Sequence, residues 1–158
     1  FIGQERQEET ANIAVKAALT GHLVLSTLHS SDAVTAIQRL LNLGIAPDLL
    51  AETLTVIVSQ RLVRRLCSHQ NGNKSNPHTS DKTCLRCRGT GYSGRIPVYE
   101  ILKVNSLVRD RIQAGDTGRK LIRPEPELYF HTMEQTAQRL TKESLTDWKE
   151  VQPLLLNV

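Results

Sequence analysis

The spacing of apolar residues predicts a helix, a strand and a second helix in the first part of the chain. Residues 8–19 are rich in Ala and other good helix formers, with acidic residues in the first turn, so they predict a helix. Residues 22–29 are apolar and contain Val and Thr, which predicts a short strand that is buried on both faces of a sheet. Capping residue types follow this segment, and they predict a helix over residues 33–43 that Gly44 closes. This order of elements indicates an α/β fold.

The pattern of apolar residues changes twice in the middle of the chain. Apolar residues recur at helical spacing over residues 47–66 and predict one long helix. Residues 68–83 hold almost no apolar side chain, so they predict an exposed loop unless a metal ion holds them. The turn-rich residues 84–95 then lead into a short strand over residues 95–102, which feeds a helix near residues 99–107.

Two further helices are predicted towards the end of the chain. The first covers residues 132–140, and the second covers residues 146–156, with Thr146 as its cap and Pro153 as an interruption. Taken together, the patterns predict three parts: residues 1–66, a cysteine-containing module over residues 67–95 with its loop 68–83, and a mostly helical extension over residues 96–158.

Composition and charge narrow the class of protein. The chain has 158 residues, of which 39% are hydrophobic, and none of its apolar runs approaches the eighteen residues of a membrane span. Its net charge of +4 is unevenly distributed, with −3 over residues 1–60, +7 over residues 61–95 and zero over residues 96–158. The basic segment is either a surface for phosphate or another acidic group, or a solvated basic face.

Residues 20–33 carry the most specific motif. They read T-G-H-L-V-L-S-T-L-H-S-S-D-A, and this block resembles the histidine box of the ATPases of type II secretion and type IV pilus assembly. Other blocks similar to that family follow in the same order, at residues 43–45, 59–67, 89–92 and 94–100. The resemblance covers roughly residues 2–104 and, more weakly, the closing helix.

This resemblance implies a fold, cofactors and partners. The fold is the C-terminal part of a RecA-like P-loop NTPase core followed by a small, mostly helical, cysteine-containing extension. The complete family protein uses ATP and Mg²⁺ and forms a homo-hexameric ring. That ring works with inner-membrane platform proteins of a secretion or pilus machine, and it does not bind nucleic acid. It is cytoplasmic and only peripherally associated with the inner membrane of a bacterium. Secretion and pilus extension share these blocks, so both remain open.

Residues 3–7 resemble the end of the family's Walker B strand, Gly-Glu-hydrophobic-Arg-Asp, whose Glu orients or activates the attacking water. Gln4 stands at the Glu position and Gln7 at the Asp position, and a Gln amide cannot accept a proton as a carboxylate does. The resemblance places the catalytic positions at Gln4, Arg6 and His29. It assigns nucleotide contacts to Gly3, His22, Thr27 and Arg61.

No Gly-rich phosphate loop occurs in these residues, and the chain begins with Phe1 rather than Met. We therefore expect a fragment of a longer subunit that hydrolyses no ATP by itself, because the backbone cradle for the phosphates is missing. The altered residues Gln4 and Gln7 keep a second hypothesis open, a catalytically silent subunit or gene remnant with a binding role.

Three cysteines suggest a metal site. Cys67, Cys84 and Cys87 come close to the two Cys-x2-Cys pairs that hold tetrahedral zinc, but Gln70 occupies the second position of the first pair. His78, or less readily His69, could supply the fourth ligand. Three reduced cytosolic thiols in a decayed site are the alternative.

Two readings outside the ATPase family also use the cysteines. Residues 84–91 fit a single C-x-x-C-x-G-x-G repeat of the Hsp40 zinc domain, which uses several such repeats. A zinc-ribbon nucleic-acid module would explain the charge of +7, but only Tyr92 and Tyr99 lie nearby to stack on bases.

Overall fold

The computed structural model describes residues 8–68 and 84–156. Gly3, Gln4 and Arg6, the predicted loop 68–83 apart from Ser68, and His78 lie outside the described residues. The chain forms two compact units. The first consists of Phe1–Ser59 and Glu100–His131, and the second of Gln60–Tyr99 and Thr132–Val158. The unit boundaries therefore fall inside two strands, whereas the three-part division by composition stays a prediction.

The first unit begins with the two predicted helices. Helix α1 spans Glu8–Leu19 and helix α2 spans Ala33–Asn42, so both are confirmed. The Asp32 side chain caps α2 by accepting a hydrogen bond from the Thr35 backbone N–H at 2.6 Å. Gly44 follows α2 with a φ of +83°, a left-handed conformation that favours glycine at a helix end.

The predicted buried strand over residues 22–29 is wrong for this structure. Within this segment only Ser26 forms a β-bridge, and the Leu23 side chain is 88% exposed. A strand is buried on both faces only when neighbouring strands and covering helices surround it. The described residues supply no ladder of strands beside this segment, so Leu23 and Leu25 stay open to solvent, whereas Leu28 packs against the core of the first unit.

The predicted long helix over residues 47–66 is also wrong. Helix α3 covers only Pro47–Thr53, and strand β1 covers Val56–Leu66. Residues four apart share one face of a strand as well as of a helix, so the apolar spacing fitted both structures. Three consecutive β-branched residues, Val56, Ile57 and Val58, favour the strand because their side chains are restricted in a helix.

Strand β2 and helix α4 correct the prediction for the next segment. Strand β2 extends over Tyr92–Lys103, and helix α4 covers Ser106–Gln113 rather than residues 99–107. Asn105 sets the start of α4, since its side-chain oxygen accepts from the Val108 N–H at 3.1 Å.

A short 3₁₀ helix, Gly118–Ile122, and strand β3, Phe130–His131, complete the first unit. The sheet order is β1–β2–β3. Strand β3 runs antiparallel to β2, with Ile101 opposite His131 and Leu102 opposite Phe130. The core of this unit packs helices α1 to α4 against the end of β2, and its fully buried members include Ile37, Leu50, Leu102, Val108 and Ile112.

The second unit ends with helices α5, Met133–Lys142, and α6, Trp148–Leu155. Both confirm predicted helices, with a capping box formed by Thr132 and Gln135 at the start of α5. Asp147, rather than the predicted Thr146, caps α6. The Thr146 hydroxyl instead donates to the Arg64 carbonyl at 2.8 Å. Pro153 lies inside the helix.

The second unit has a core of its own. It is formed by buried residues of both strands and both helices, namely Val63, Val98, Met133, Ala137, Leu140 and Val151. Across the described parts of both units, no helix combines the length and the apolar character that crossing a bilayer requires.

Candidate functional site

Three thiols converge where β1 ends and β2 begins. Cys67 directly follows β1, and Cys84 and Cys87 lie in the turn that precedes β2. All three sulfur atoms lie within 4.8 Å of one another, and the Sγ atoms of Cys67 and Cys84 are 4.0 Å apart. We call these three residues the cysteine cluster. The three thiols predicted from the sequence thus lie close together.

Backbone hydrogen bonds hold the cysteine cluster in this arrangement. The Cys67 N–H donates to the Gly91 carbonyl at 2.8 Å, which joins the first thiol to the turn that carries the other two. Within that turn the Arg88 N–H donates to the Cys84 carbonyl at 2.8 Å. Arg88 and Gly89 have φ values of +47° and +79°, so the chain reverses there through left-handed conformations. Backbone hydrogen bonds and left-handed backbone conformations thus shape the turn that carries Cys84 and Cys87.

The geometry of the cysteine cluster fits a tetrahedral metal ion. Zinc–sulfur bonds of about 2.3 Å at tetrahedral angles place two sulfur atoms about 3.8 Å apart, close to the separation of Cys67 and Cys84. Backbone N–H groups of Cys87 and Arg86 lower the pKa of the Cys84 thiol by stabilising its thiolate, the form that binds metals. Cys67 and Cys87 are buried, and Cys84 is partly exposed. The donor set therefore suits a soft or borderline ion such as Zn²⁺.

A polar group next to the cysteine cluster connects the strands to α6. The Arg64 guanidinium binds both carboxylate oxygens of Glu150, at 2.6 and 3.0 Å, and lies 4.1 Å from the centre of the Tyr92 ring. The Tyr92 hydroxyl donates to Asp147. Burial and the Asp147 carboxylate raise the pKa of Tyr92 to about 12. Sequence reasoning missed these partners of Arg64, because no local pattern links residues so far apart.

The residues predicted to contact the nucleotide lie in separate parts of the chain. Gly3, Gln4 and Arg6 lie outside the described residues, so their roles stay predictions. His22, Thr27 and His29 all lie on the exposed segment of residues 20–32, which we call the histidine segment. The His22 Nδ1 atom is 3.0 Å from the Thr20 hydroxyl oxygen. Arg61 is an exposed residue of β1 and belongs to the second unit.

His29 lies beside helix α2. Its side chain lines an open depression together with residues of that helix and its C-cap: Thr35, Gln38, Arg39, Asn42 and Leu43. Among the residues described, the Arg39 Nε atom is buried without a hydrogen-bond partner. The depression therefore places one imidazole and one guanidinium beside neutral side chains, both polar and apolar.

Two side chains from the sheet hold the end of the histidine segment. The Glu100 carboxylate of β2 accepts a hydrogen bond from the Ala33 N–H at 2.6 Å, and the Ser59 hydroxyl of β1 donates to the Ser31 carbonyl at 3.3 Å. Burial would raise the pKa of Asp32, but hydrogen bonds from Thr35 and Ser31 outweigh burial and lower that pKa. Sequence reasoning noted Glu100 within a family block without giving it a role.

Residues 1–153 match the family described as Type II/IV secretion system protein. Over 96% of its length the chain is 39% identical to the type II secretion system protein E of Klebsiella pneumoniae. It is 40% identical, over 77% of its length, to the type IV pilus assembly ATPase PilB of Thermus thermophilus. The chain spans 33% of the first relative and 16% of the second.

The fold is similar to that of a solved motor protein. The crystal structure of the pilus retraction motor PilT with bound ADP matches 96% of the chain, with a TM-score of 0.68 and 26% sequence identity. The chain covers 38% of that protein. This likeness agrees with a mixed α/β ATPase fold. On the extent of the family match and the identity to its relatives, the chain belongs to the type II/IV secretion system protein family.

Proposed function

We propose that the chain is the C-terminal part of a motor subunit that couples ATP hydrolysis to the assembly of a pilus or a secretion pseudopilus. The family match over residues 1–153 carries this proposal, together with relatives named as secretion proteins and pilus assembly ATPases. Because the chain spans about a third of the Klebsiella relative, the activity is that of a longer protein.

In that longer protein, the described first unit completes a RecA-like P-loop core. The histidine segment supports this proposal, because Leu23 and Leu25 are 88% and 56% exposed here although such side chains are usually buried. We propose that other strands of the complete core cover them.

The nucleotide site would combine residues of the histidine segment with residues 3–6 and Arg61. His29, Gln4 and Arg6 are proposed to face the terminal phosphate and the attacking water of Mg²⁺-bound ATP. Gly3, His22, Thr27 and Arg61 are proposed to contact the nucleotide. The exposed position of His29 near the end of the segment supports its part, since an imidazole can donate a hydrogen bond to a phosphate oxygen.

A catalytically silent subunit is the second candidate, and Gln4 and Gln7 favour it. A carboxylate at position 4 could accept a proton from water, and one at position 7 would add negative charge near Mg²⁺. Both functions are missing from an amide. Such a subunit would still take its place in the ring and contact the membrane platform without hydrolysing ATP.

The cysteine cluster is proposed to hold a structural zinc ion, with His78 as the fourth ligand. Cys67, Cys84 and Cys87 present three thiols to one point. A zinc ion bound there would crosslink the end of β1 to the start of β2. His78 lies outside the described residues, so its part rests on the sequence alone.

The partners follow from the family. We propose a homo-hexameric ring on the cytoplasmic face of the bacterial inner membrane, bound peripherally to inner-membrane platform proteins, with no nucleic-acid partner. The Tyr92 ring supports the last point. One face of that ring is covered by the Arg64 guanidinium, 4.1 Å from its centre, so this face is unavailable to an unpaired base.

The test is ATP turnover by the extended protein, meaning this chain together with the residues that its own upstream coding sequence encodes. Three variants are compared with the parent: His29→Ala, the double variant Gln4→Glu with Gln7→Asp, and Glu52→Gln as a matched surface control. A motor predicts turnover in the parent and a loss of about 100-fold or more in His29→Ala. A silent subunit predicts no turnover until the double variant restores it. Turnover in none of these proteins would contradict both candidates.

A further inference from the structure

We propose that Glu100 is a positioning residue for His29, acting through the first turn of helix α2. The consequence for ATP turnover rests on the function proposed above, whereas the effect on His29 itself does not. The inference starts from a charged side chain in an apolar environment. Glu100 is only 3% exposed, and it lies on β2 two residues before Leu102, a core residue of the first unit.

A carboxylate is costly to bury, so its hydrogen bonds indicate what it is there to hold. Removing a carboxylate from water costs several kcal/mol unless hydrogen bonds or opposite charges compensate it. The Ala33 N–H donates to the Glu100 Oε1 atom at 2.6 Å, across 67 positions in the sequence. This contact joins strand β2 to the first residue of helix α2. The helix dipole adds a favourable interaction with the carboxylate.

Helix α2 does not need Glu100 as a cap. Asp32 already accepts from the Thr35 N–H at 2.6 Å and from the Thr35 hydroxyl at 2.9 Å. Asp32 belongs to the same local stretch as the helix, so it shapes the turn but cannot fix the turn to the sheet. Glu100 supplies that long-range connection. Ser59 provides a second one from β1, by donating to the Ser31 carbonyl at 3.3 Å.

His29 lies within reach of both connections. It is two residues before Ser31 and four before Ala33, and its own side chain is exposed. Its side chain lines the same depression as α2 residues such as Thr35 and Gln38. A displacement of the first turn of α2 therefore changes the surroundings of the imidazole. Glu100 and Ser59 therefore fix the position of His29 relative to the sheet.

Nuclear magnetic resonance of the 158-residue chain tests the positioning directly. The Ala33 amide and the His29 ring signals are followed in Glu100→Ala, Glu100→Gln and Ser59→Ala, with Glu52→Gln as a surface control of the same chemistry. We expect Glu100→Ala to move both sets of signals, and Glu100→Gln to move both less, since its amide oxygen still accepts. Glu52→Gln should move neither.

A shift of the Ala33 amide with unchanged His29 signals would overturn the proposal, because the contact would then be structural only. If Glu100→Ala does not fold, the same comparison is made between Glu100→Gln and Ser59→Ala. Equal His29 shifts in Glu100→Gln and in the control also count against it.

Kinetics of the extended protein then separate this proposal from the proposed function. In whichever form hydrolyses ATP, the parent or the Gln4→Glu, Gln7→Asp variant, Glu100→Ala should lower kcat by about 10- to 100-fold with little change in KM. Glu100→Gln should recover most of that rate. A uniform rise in KM alone would contradict positioning. Absence of turnover in every form would instead reject the proposed function, while the resonance shifts still decide the role of Glu100.

Discussion

The cysteine cluster and the histidine segment differ in how completely the described residues build them. Backbone hydrogen bonds, left-handed turn residues and a buried environment bring three sulfur atoms within 4.8 Å. The histidine segment has a single β-bridge, and Leu23 is 88% exposed. Glu100 and Ser59 hold its last residues.

This difference shows which site can be assembled locally. A metal knuckle needs a few residues on two neighbouring turns, and Cys67, Cys84 and Cys87 supply them within one unit. A nucleotide site at the end of a parallel strand needs several strands and a phosphate loop, which residues 8–68 and 84–156 do not provide. We therefore expect perturbations of the two regions to behave differently.

The largest effect is expected from loss of a metal-binding thiol. Cys84→Ser should abolish stoichiometric zinc and remove the stabilisation that zinc gives, about 4 kcal/mol when free zinc is a thousandfold above Kd. Metal content by mass spectrometry and thermal unfolding with and without added zinc measure both effects. Leu85→Ser is the matched control, since Leu85 lies in the same turn and is 93% exposed. Equal, negligible metal content in the parent and in Cys84→Ser would remove the site.

Truncation of a core side chain in the same unit should lower the free energy of unfolding by a similar amount, independently of zinc. Leu140 is 2% exposed in the core formed by β1, β2, α5 and α6. We expect Leu140→Ala to lower the free energy of unfolding by about 2–5 kcal/mol, because it leaves a cavity. Urea unfolding of zinc-saturated protein measures this, with Leu85→Ala as the exposed control. A change below that of the control would show that this core is not packed as described.

Alkaline pH should lower the stability of the second unit because the Tyr92 hydroxyl ionises. The folded state raises the pKa of Tyr92 to about 12, through burial and the Asp147 carboxylate. A group whose pKa is raised by folding contributes its stability in full below the unfolded pKa near 10, and that stability is lost as pH rises through 12. Tyr92→Phe should therefore flatten the decline of the melting temperature over this range. An unchanged slope would exclude Tyr92 as its source.

The smallest effect in this chain should come from the exposed leucine of the histidine segment. Leu23→Ala is expected to change the free energy of unfolding by less than about 0.5 kcal/mol, because its side chain is already in water. In the extended protein the same substitution should cost about 2 kcal/mol or more, because other strands would bury it. Equal small effects in both proteins would contradict the proposal that other strands of the complete core cover this segment.

The sequence predicted the parts of the fold that local signals determine. Helices α1, α2 and α5 follow from helix formers and caps, and the three thiols follow from their spacing. Strand β1 was mistaken for a helix because residues four apart share a face in either structure. The β-branched run Val56, Ile57 and Val58 favours the strand, and pairing in the sheet is consistent with it.

Contacts between distant residues could not be read from the sequence. Glu100 holds Ala33 across 67 positions, and Tyr92 binds Asp147 across 55. No periodicity or motif spacing connects such pairs, since each depends on how the sheet and helices pack. The family resemblance compensated for this at His29, whose place at the end of the histidine segment fits a nucleotide site, although its role stays a proposal.

One measurement tests the contrast between the two regions most directly. Zinc content and binding of Mg²⁺-ATP, by calorimetry, are determined on the same preparations of this 158-residue chain and of the extended protein. The account predicts one zinc ion per chain in both proteins, and ATP binding only in the extended one. ATP binding by this chain alone, or zinc binding only after extension, would contradict it.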